Sequence, residues 1–368
     1  MIKENNINLE TIEPVWTENF TAIAANSSNE YVPYLSVYLE SILENTSENR
    51  NYDIVILEQS ITEENKEILN LKFQNKKNIS LRFFNPSNLF NEETLNVTHK
   101  YLCKESYFRL SAPIIFNKYE KLIFTDVDLI FNNDPFELAN IEMHDSPILA
   151  VLEPIWSRWI NNDETISGVN IRNYTKERLK LPDPHHYFNT GVMLMDIKKL
   201  NDLNFSKNAI DKLSAKVKYL YQDQDVINEV LIDKIGVLPW SWNSEILGNT
   251  NVIEEAEEYF AEYCNYEKQN IIHWVGGNKP WIQPTRDKAY IWWSYARQTP
   301  YYETIISRMI RAQMGGQMSE AFKYRMTVLK YWKYKLLSNI TFGSLKEHYV
   351  EKRIKWKNKI WLAKQLRG

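Results

Sequence analysis

Two carboxylates separated by one residue are the clearest chemical feature of the sequence. Asp126 and Asp128 follow the apolar run 122–124, which is typical of a buried strand. Side chains two positions apart on an extended backbone leave on the same side, and two such oxygen donors can hold Mg²⁺ or Mn²⁺. Because open α/β sheets bind ligands at the carboxyl ends of their strands, we expect a cation site here. A solvated acidic pair without a function is the alternative.

Segment 273–281 adds groups that suit both a cation and an anion. His273 can supply a nitrogen ligand, which Mn²⁺ accepts more readily than Ca²⁺ does. Gly276 and Gly277 allow backbone N–H groups to approach an anion, and Lys279 provides a positive charge for a phosphate. The alternative is an ordinary loop with a solvated lysine.

Three further positions carry polar groups that could hold a sugar or a phosphate. Asn189 stands at the head of the apolar segment 187–195, where a turn asparagine is the alternative. Asp223 and Gln224 begin a predicted helix, and Asp223 could equally be its N-cap. Arg109 could pair with a phosphate or with a neighbouring acid. We expect these side chains to meet in one cleft.

The elements that must position these residues alternate between apolar strand-like runs and segments of helical periodicity. This alternation predicts an α/β fold, with a mostly parallel sheet and helices on both faces. Segment 154–184 is polar and is predicted to be an irregular lid or acceptor-binding loop. The predicted strands are 20–25, 52–57, 79–84, the run before Asp126, 146–152, 187–195 and 270–274. The predicted helices are 31–44, 63–73 capped by Thr62, 101–110 ending before Pro113, 223–231, and the chain after 301.

The composition of the chain limits its class. Its 368 residues are 44% hydrophobic and 25% charged, as in a soluble globular protein. Only 10 are glycine, without a Walker or dinucleotide fingerprint, which argues against a nucleotidyltransferase. Cys103 and Cys264 are expected to be reduced thiols. Because we find neither a signal-peptide-like start nor an apolar run of membrane-spanning length, we expect a cytoplasmic protein.

Charge is divided unevenly along the chain. Residues 319–368 contain 13 basic and 3 acidic residues, whereas the rest contains 31 basic and 44 acidic residues. Basic residues alternate there with Trp and Tyr at helical spacing, which is typical of a helix lying on an anionic membrane surface. A helical pair packed on the acidic catalytic domain and a nucleic-acid-binding helix are the alternatives, and we expect no nucleic acid. We divide the chain into an extension 1–18, a catalytic domain 19–314 and a basic helical region 315–368.

Five motifs in chain order, at 108–110, 122–128, 188–196, 223–225 and 273–281, together resemble glycosyltransferase family 8. These retaining enzymes include bacterial α-galactosyl- and α-glucosyltransferases of cell-surface glycans, and the similarity runs from about residue 20 to residue 281. The resemblance implies a GT-A fold, a UDP-galactose or UDP-glucose donor, and Mn²⁺ with Mg²⁺ as a second choice.

The resemblance also implies a role for each matching residue. Asp126, Asp128 and His273 would be the metal ligands. Gly276 and Lys279 would contact the diphosphate. The donor sugar would be held by Arg109, Glu153, Asn189 and Asp223, with Gln224 beside the anomeric carbon. The nucleotide would be contacted by Ala24, Ala25, Asn26 and Val127, with Asn26 where the family usually has an aspartate for the uracil.

These roles predict a reaction. The sugar passes through an oxocarbenium-like state, and the charge of the leaving UDP must be stabilised. The neutral Gln224 amide is a weak nucleophile, so we favour attack by the acceptor on the face that UDP leaves. We expect transfer of a hexose in α linkage to a glycan on a bacterial surface protein or lipid. A non-catalytic UDP-sugar-binding or membrane-associated scaffold on the same fold is the alternative.

Overall fold

The computed structural model describes residues 11–89, 104–214, 219–246, 269–277, 279–340 and 343–365. The chain forms two units, Met1–Tyr302 and Glu303–Gly368. Cys103, Cys264 and the start of the predicted helix 101–110 lie outside the described residues.

A seven-stranded sheet forms the centre of the first unit, with β-strands in the order β10-β6-β9-β4-β1-β2-β3. All neighbours pair in parallel except β9, which is antiparallel to both β4 and β6. The predicted mostly parallel sheet is therefore confirmed. In chain order the strands are β1 (Phe20–Asn26), β2 (Asn51–Leu57), β3 (Ile79–Phe84), β4 (Lys121–Thr125), β5 (Leu129–Phe131), β6 (Ile148–Leu152), β7 (Thr165–Ile166), β8 (Val169–Asn170), β9 (Phe188–Asp196), β10 (Ile235–Val237), β11 (Ser244–Glu245) and β12 (Ile271–His273).

Helices cover both faces of this sheet, and short 3₁₀ and π turns join some of them. The α-helices are α1 (Val32–Asn45), α2 (Glu63–Asn70), α3 (Ala112–Ile115), α4 (Pro135–Ala139), α5 (Pro154–Asn161), α6 (Ile171–Asn173), α7 (Ile197–Asp202), α8 (Phe205–Ser214), α9 (Gln222–Val230), α10 (Ala289–Ala296), α11 (Tyr302–Ile340) and α12 (Ser344–Gln365). The 3₁₀ turns are Asn29–Tyr31, Ser87–Leu89, Lys104–Ser111 and Trp240–Trp242, and Tyr174–Arg178 is a π turn.

The alternation of side chains along the strands builds two hydrophobic cores. In β4, Leu122 and Phe124 face one core, whereas Ile123 faces the other. Because successive strand residues point to opposite faces, a strand covered on both sides, such as β6 (Ile148–Leu152), is apolar along its whole length. Helix α2 begins where predicted, since the Thr62 hydroxyl accepts a hydrogen bond from the Asn65 N–H at 3.3 Å.

A second, three-stranded sheet connects the first one to the candidate site. Strand β12 pairs in parallel with β11 and antiparallel with β5, which follows β4 after a three-residue link. This link contains Asp126 and Asp128. The register places His273 opposite Leu129, the neighbour of Asp128. The small sheet therefore brings two distant chain segments together.

Three details of the predicted elements are wrong. The helix before Pro113 does not end there, because a 3₁₀ turn runs into α3 with Pro113 in its first turn. Segment 154–184 is ordered as α5, the hairpin β7–β8 and α6, and Trp156 is 1% exposed. Helix α11 continues through 315–316, so the boundary between units lies at Tyr302/Glu303 instead of 314/315.

The predicted N-terminal extension is anchored where it is described. The Ile12 N–H donates to the Ile115 carbonyl at 2.9 Å, and the Val15 N–H donates to Asp53 at 3.3 Å. The Ile12 side chain is also part of a hydrophobic core. Residues 11–18 therefore belong to the first unit.

The second unit consists of α11 and α12, which contact one another along described side chains. Tyr334 stacks on Tyr349 with ring centroids 6.2 Å apart, and Lys330 lies 4.7 Å from the ring of Trp356. Arg353 donates to the Ser338 hydroxyl at 3.5 Å. Among the described residues, neither these helices nor any others are both long and apolar enough to span a membrane.

Candidate functional site

A cavity of about 430 Å³ opens at the carboxyl ends of β1 and β4. This volume lies in the range of about 300–1,000 Å³ that small-molecule sites occupy. Seven of the residues that line it are among the predicted site residues. They are Asn26, Arg109, Asp126, Val127, Asp128, Asp223 and Gln224.

Asp126, Asp128 and His273 form one cluster at this cavity. Each offers a ligand atom, and these atoms all lie within 4.8 Å of one another. The His273 Nε2 lies 3.0 Å from an Asp128 oxygen and 3.9 Å from an Asp126 oxygen. The backbone supports this geometry, because the Trp274 N–H donates to the Asp128 carbonyl at 3.3 Å.

The donor set of this cluster fits a divalent cation. Two carboxylates and one neutral imidazole suit Mn²⁺, and the carboxylates alone would also suit Mg²⁺. Three protein ligands would leave coordination positions of such a cation open to other oxygen ligands. The side chain of His273 is 3% exposed, whereas those of Asp126 and Asp128 are 31% and 17% exposed. The cluster thus faces the cavity through its carboxylates.

Two basic side chains pair with the carboxylates of the candidate metal cluster. Lys279 forms an ion pair with Asp128 and donates to the Trp274 carbonyl at 2.5 Å. Arg109 forms an ion pair with Asp126 and donates to the Thr190 carbonyl at 2.7 Å. Burial alone would raise the pKa of the Asp128 carboxyl, but the charges of Lys279 and His273 together hold this pKa well below its usual range.

Asp223 and Gln224 line the cavity from the first turn of α9. The predicted N-cap role of Asp223 is wrong, because Tyr221 occupies that position. An Asp223 oxygen lies 3.0 Å from the Arg109 Nε. Burial raises the pKa of Asp223 to about 6, against the opposing charge of Arg109. The preceding residue, Gln222, has a φ of 38°, a left-handed conformation uncommon for a residue with a side chain.

The Gln224 amide is held at both ends. Its oxygen accepts a hydrogen bond from the Thr190 N–H at 3.1 Å, and its nitrogen donates to the Tyr187 hydroxyl at 3.2 Å. This fixes the amide plane beside the cavity. It also occupies the oxygen that a nucleophilic role would require.

Glu153 and Asn189 lie behind the cavity wall. Glu153 caps α5 by accepting from the Ile155 N–H at 3.2 Å, and the Asn189 amide donates to Glu153 at 2.7 Å. Burial raises the pKa of Glu153, and burial together with the neighbouring Glu153 carboxyl raises that of Glu245. The structure therefore places Asn189 and Glu153 in support of the site.

The predicted nucleotide contacts divide into two groups. Asn26 and Val127 line the cavity. Ala24 and Ala25 are fully buried, and their side chains face the two cores. Only their backbone could meet a ligand. Gly276 has a φ of 72°, which suits a turn that presents backbone N–H groups.

Several residues that support the site were not predicted. Thr190 contacts both Arg109 and Gln224, and the buried Asn243 contacts His273. Gly191 leaves room for the imidazole, because a Cβ there would lie 2.4 Å from the His273 Cε1. Thr190 and Gly191 follow Asn189 directly, so their position in the motif was a usable signal. Asn243 carried no comparable signal.

Comparisons with known proteins agree with this geometry. The profile of the family described as "Glycosyl transferase family 8" matches residues 22–284, which is more than half of the chain. A lipopolysaccharide 1,2-glucosyltransferase of Escherichia coli K12 is 25% identical over 223 residues, covering 59% of this chain and 59% of that protein. The chain thus spans less than two thirds of the length of this relative.

Two solved structures share the GT-A-type fold. The apo structure of the bifunctional glycosyltransferase WbbM superposes with a TM-score of 0.70 at 23% identity, covering 82% of this chain and 53% of WbbM. The galactosyltransferase LgtC, in complex with donor and acceptor sugar analogues, superposes with a TM-score of 0.58 at 18% identity, covering 76% of this chain and 96% of LgtC.

Proposed function

The chain belongs to glycosyltransferase family 8 and is a glycosyltransferase, and from this premise we propose that it transfers a hexose from UDP-galactose or UDP-glucose to a glycan with retention, giving an α linkage. The observation that carries the proposal is the convergence of one candidate metal cluster and one candidate sugar-binding pair on a single cavity. The cluster is Asp126, Asp128 and His273, and the pair is Asp223 and Gln224.

The metal cluster and its cations explain how the diphosphate would be held. A bound Mn²⁺, or Mg²⁺ in its place, supplies a Lewis acid that stabilises negative charge on the leaving UDP. Lys279 lies against Asp128 and Arg109 against Asp126, so both cations stand where the diphosphate would enter. Lys279 would contact the phosphate oxygens while the two carboxylates hold the metal ion. Gly276 contributes backbone rather than side-chain contacts.

The fixed amide of Gln224 supports retention by same-face attack. The bond from the anomeric carbon to the diphosphate breaks, the acceptor oxygen bonds to this carbon on the same face, and the acceptor proton passes to the departing phosphate. Because the Gln224 oxygen already accepts from Thr190, this residue orients and stabilises the sugar instead of attacking it. A glycosyl adduct trapped on Asp223 or Glu153 would contradict this step.

Hydrolysis of the donor tests the function directly. We expect slow release of free sugar from UDP-galactose or UDP-glucose with Mn²⁺ and none in its absence, with UDP-N-acetylglucosamine as the comparison donor. A binding scaffold would need no complete metal cluster beside the sugar-binding residues. Silence with all three donors, in protein that binds Mn²⁺, would favour this scaffold over catalysis.

We propose the acceptor as a chemical class only, namely a glycan on a bacterial surface protein or lipid. The support is the E. coli relative, which is named for lipopolysaccharide, together with segment 154–184, whose helix α5 begins directly after the buried Glu153. Transfer to an isolated oligosaccharide, compared with the same sugar on a peptide and on a lipid, tests which carrier is preferred.

We also propose that the enzyme works in the cytoplasm on the inner face of the membrane. The second unit supports this, because Leu329, Trp332 and Leu336 follow one another at helical spacing and are 60%, 55% and 63% exposed. Lys335 lies 4.4 Å from the Trp332 ring, so a basic group accompanies the apolar ones. Such a surface suits anionic lipid. The competing role, a helical pair packed on a protein, predicts no flotation with anionic liposomes.

A further inference from the structure

We propose that the backbone N–H of Gly191 sets the tautomer of His273 through two side-chain amides, Asn189 and Asn243. These asparagines are positioning residues, since they act through the imidazole and need not touch the substrate. The inference rests on the metal cluster of the proposed function. It deepens that function by naming what makes His273 a ligand through Nε2.

The first step fixes the orientation of Asn189. The Gly191 N–H lies 2.7 Å from the Asn189 Oδ1, and a backbone N–H can only donate. The atom facing it must therefore be the amide oxygen. The other end agrees, because the Asn189 Nδ2 donates to a Glu153 carboxyl oxygen at 2.7 Å.

The second step passes this orientation to Asn243, which is fully buried. Its Nδ2 donates to the Asn189 Oδ1 at 2.9 Å, so its own oxygen must point the other way. If the Asn243 amide were flipped, its oxygen would face the oxygen of Asn189, and two acceptors would repel each other. Its NH₂ group would then face the His273 Nδ1.

The third step assigns the proton of the imidazole. The Asn243 Oδ1 lies 2.9 Å from the His273 Nδ1, and this oxygen can only accept. Nδ1 must therefore carry the proton. Nε2 faces Asp126 and Asp128 and lies 3.0 Å from an Asp128 oxygen, so without a cation it can also donate to that carboxylate. When the two carboxylates hold a cation, Nε2 can offer it a lone pair because Nδ1 keeps the proton.

The absence of a side chain at Gly191 makes this relay possible. A Cβ at this position would lie 2.4 Å from the His273 Cε1 and 2.9 Å from its Nδ1. The imidazole can therefore pack against the backbone that orients it. A partner that fixes the tautomer of a metal-ligating histidine affects metal affinity by about 10–100-fold.

Nitrogen NMR of the metal-free protein tests the assignment. Long-range ¹H–¹⁵N spectra of ¹⁵N-histidine protein distinguish the two tautomers, and the His273 signals are those missing from His273→Gln. We expect Nδ1 to carry a proton in the metal-free protein, whether or not Nε2 also donates to Asp128. A ring protonated on Nε2 alone, or an even mixture of the two neutral tautomers, would overturn the proposal.

Direct Mn²⁺ binding, measured by electron paramagnetic resonance of the free ion, tests the role of Asn243. We expect Asn243→Ala to weaken binding by about 10–100-fold. The matched control is Asn270→Ala, because Asn270 is also buried and directly precedes β12, yet bonds to Ser241 and not to the imidazole. We expect the control to stay within about threefold of the wild type. Equal affinities for Asn243→Ala and the wild type would refute the relay.

A conservative variant keeps the test decisive if Asn243→Ala does not fold. Asn243→Asp still presents an acceptor to Nδ1, so we expect the Nδ1 proton to persist and Mn²⁺ to bind more tightly than in the alanine variant, where that variant folds. Loss of the Nδ1 proton in Asn243→Asp would contradict the proposal. Failure of the wild type to bind Mn²⁺ would refute the metal part of the proposed function alone, because the metal-free spectrum still decides the tautomer.

Discussion

Tryptophans buried in the first unit contrast with large apolar side chains exposed in the second. In the first unit, Trp156, Trp274 and Trp292 are no more than 1% exposed. In the second unit, Leu329, Trp332 and Leu336 are each more than half exposed. Burial in the first unit produces a stable frame for a cavity, whereas exposure in the second provides a surface for a partner.

The positive charges of the two units differ in the same way. Beside the cavity, Lys279 and Arg109 pair with the carboxylates of the candidate metal cluster. In the second unit, Lys330 and Lys335 lie over the rings of Trp356 and Trp332. The lysine and arginine beside the cavity could pair with a phosphate in place of a carboxylate. The lysines of the second unit lie over aromatic rings and could bind an interface together with them. Chemistry and surface binding should therefore be separable by mutation.

The largest expected effect is the loss of chemistry from one change in the first unit. Asp128→Asn removes a charge from the metal cluster and leaves Lys279 without its anionic partner. We expect donor hydrolysis and transfer to fall by about 10³-fold or more. The far-ultraviolet circular dichroism and liposome binding should not change. An active Asp128→Asn protein would contradict the metal cluster and the separation of the two units.

Gly191→Ala should affect the same chemistry through packing. Its Cβ would displace the His273 ring, so we expect Mn²⁺ to bind about 10–100-fold more weakly. Overpacking should also reduce the free energy of unfolding by about 1–3 kcal/mol. Calorimetry with and without Mn²⁺ measures both effects.

Gly168→Ala is the control for this glycine. Gly168 has a φ of 82° with open space around it, in the turn between β7 and β8. A side chain there costs about 1 kcal/mol of backbone strain. The Mn²⁺ affinity should stay at the wild-type value. If both alanine variants weakened Mn²⁺ binding equally, global destabilisation would explain the result.

The pH dependence of donor hydrolysis tests the sugar end of the cavity. Burial raises the pKa of Asp223 to about 6, and the ionised form pairs with Arg109. We expect the rate at fixed Mn²⁺ to rise with pH through a midpoint near 6. Asp223→Asn should lower the rate and abolish its rise near pH 6. If the rate of Asp223→Asn still rose with pH near 6, the titration would belong to another group.

The same shift of the Asp223 pKa has a consequence for stability. The folded-state pKa lies above the ordinary value of 3.8, so the folded protein binds this proton more tightly than the unfolded chain does. The contribution of Asp223 to the free energy of unfolding is therefore full below about pH 4 and is lost as the pH rises through about 6. Denaturant titrations of the wild type and Asp223→Asn at pH 4 and pH 7 measure this difference.

The site residues that could be predicted from the sequence are those whose immediate neighbours in the chain form a recognisable pattern. Asp126 and Asp128 follow an apolar run, and His273 precedes two glycines. Asn243 lies 30 residues before His273, in a segment of tryptophans and serines, and only the pairing of β11 with β12 brings the two together. Long-range pairing of this kind cannot be inferred from periodicity.

The errors in segment 154–184 and at Gly315 also have physical causes. Glu153 followed by Pro154 is a helix start, with an acidic cap and proline at the first position, and this start was overlooked. Buried Trp156 and Ile160 then lie on one face of α5. Gly315 and Gly316 follow the predicted boundary at 314, but each glycine costs a helix only about 1 kcal/mol. The length of α11 outweighs this cost.

The smallest expected effect on chemistry comes from the second unit. Trp332→Ser removes an exposed ring that Lys335 approaches, and burial of such a side chain in an interface contributes about 1.5–3 kcal/mol. We expect flotation with anionic liposomes to fall about 10-fold, and donor hydrolysis to stay within about twofold of the wild type. Tyr290→Ser is the control, because Tyr290 is 72% exposed but belongs to α10 of the first unit. Equal losses in both variants would indicate a general effect of surface aromatics, and unchanged flotation in Trp332→Ser would show that this surface binds something other than lipid.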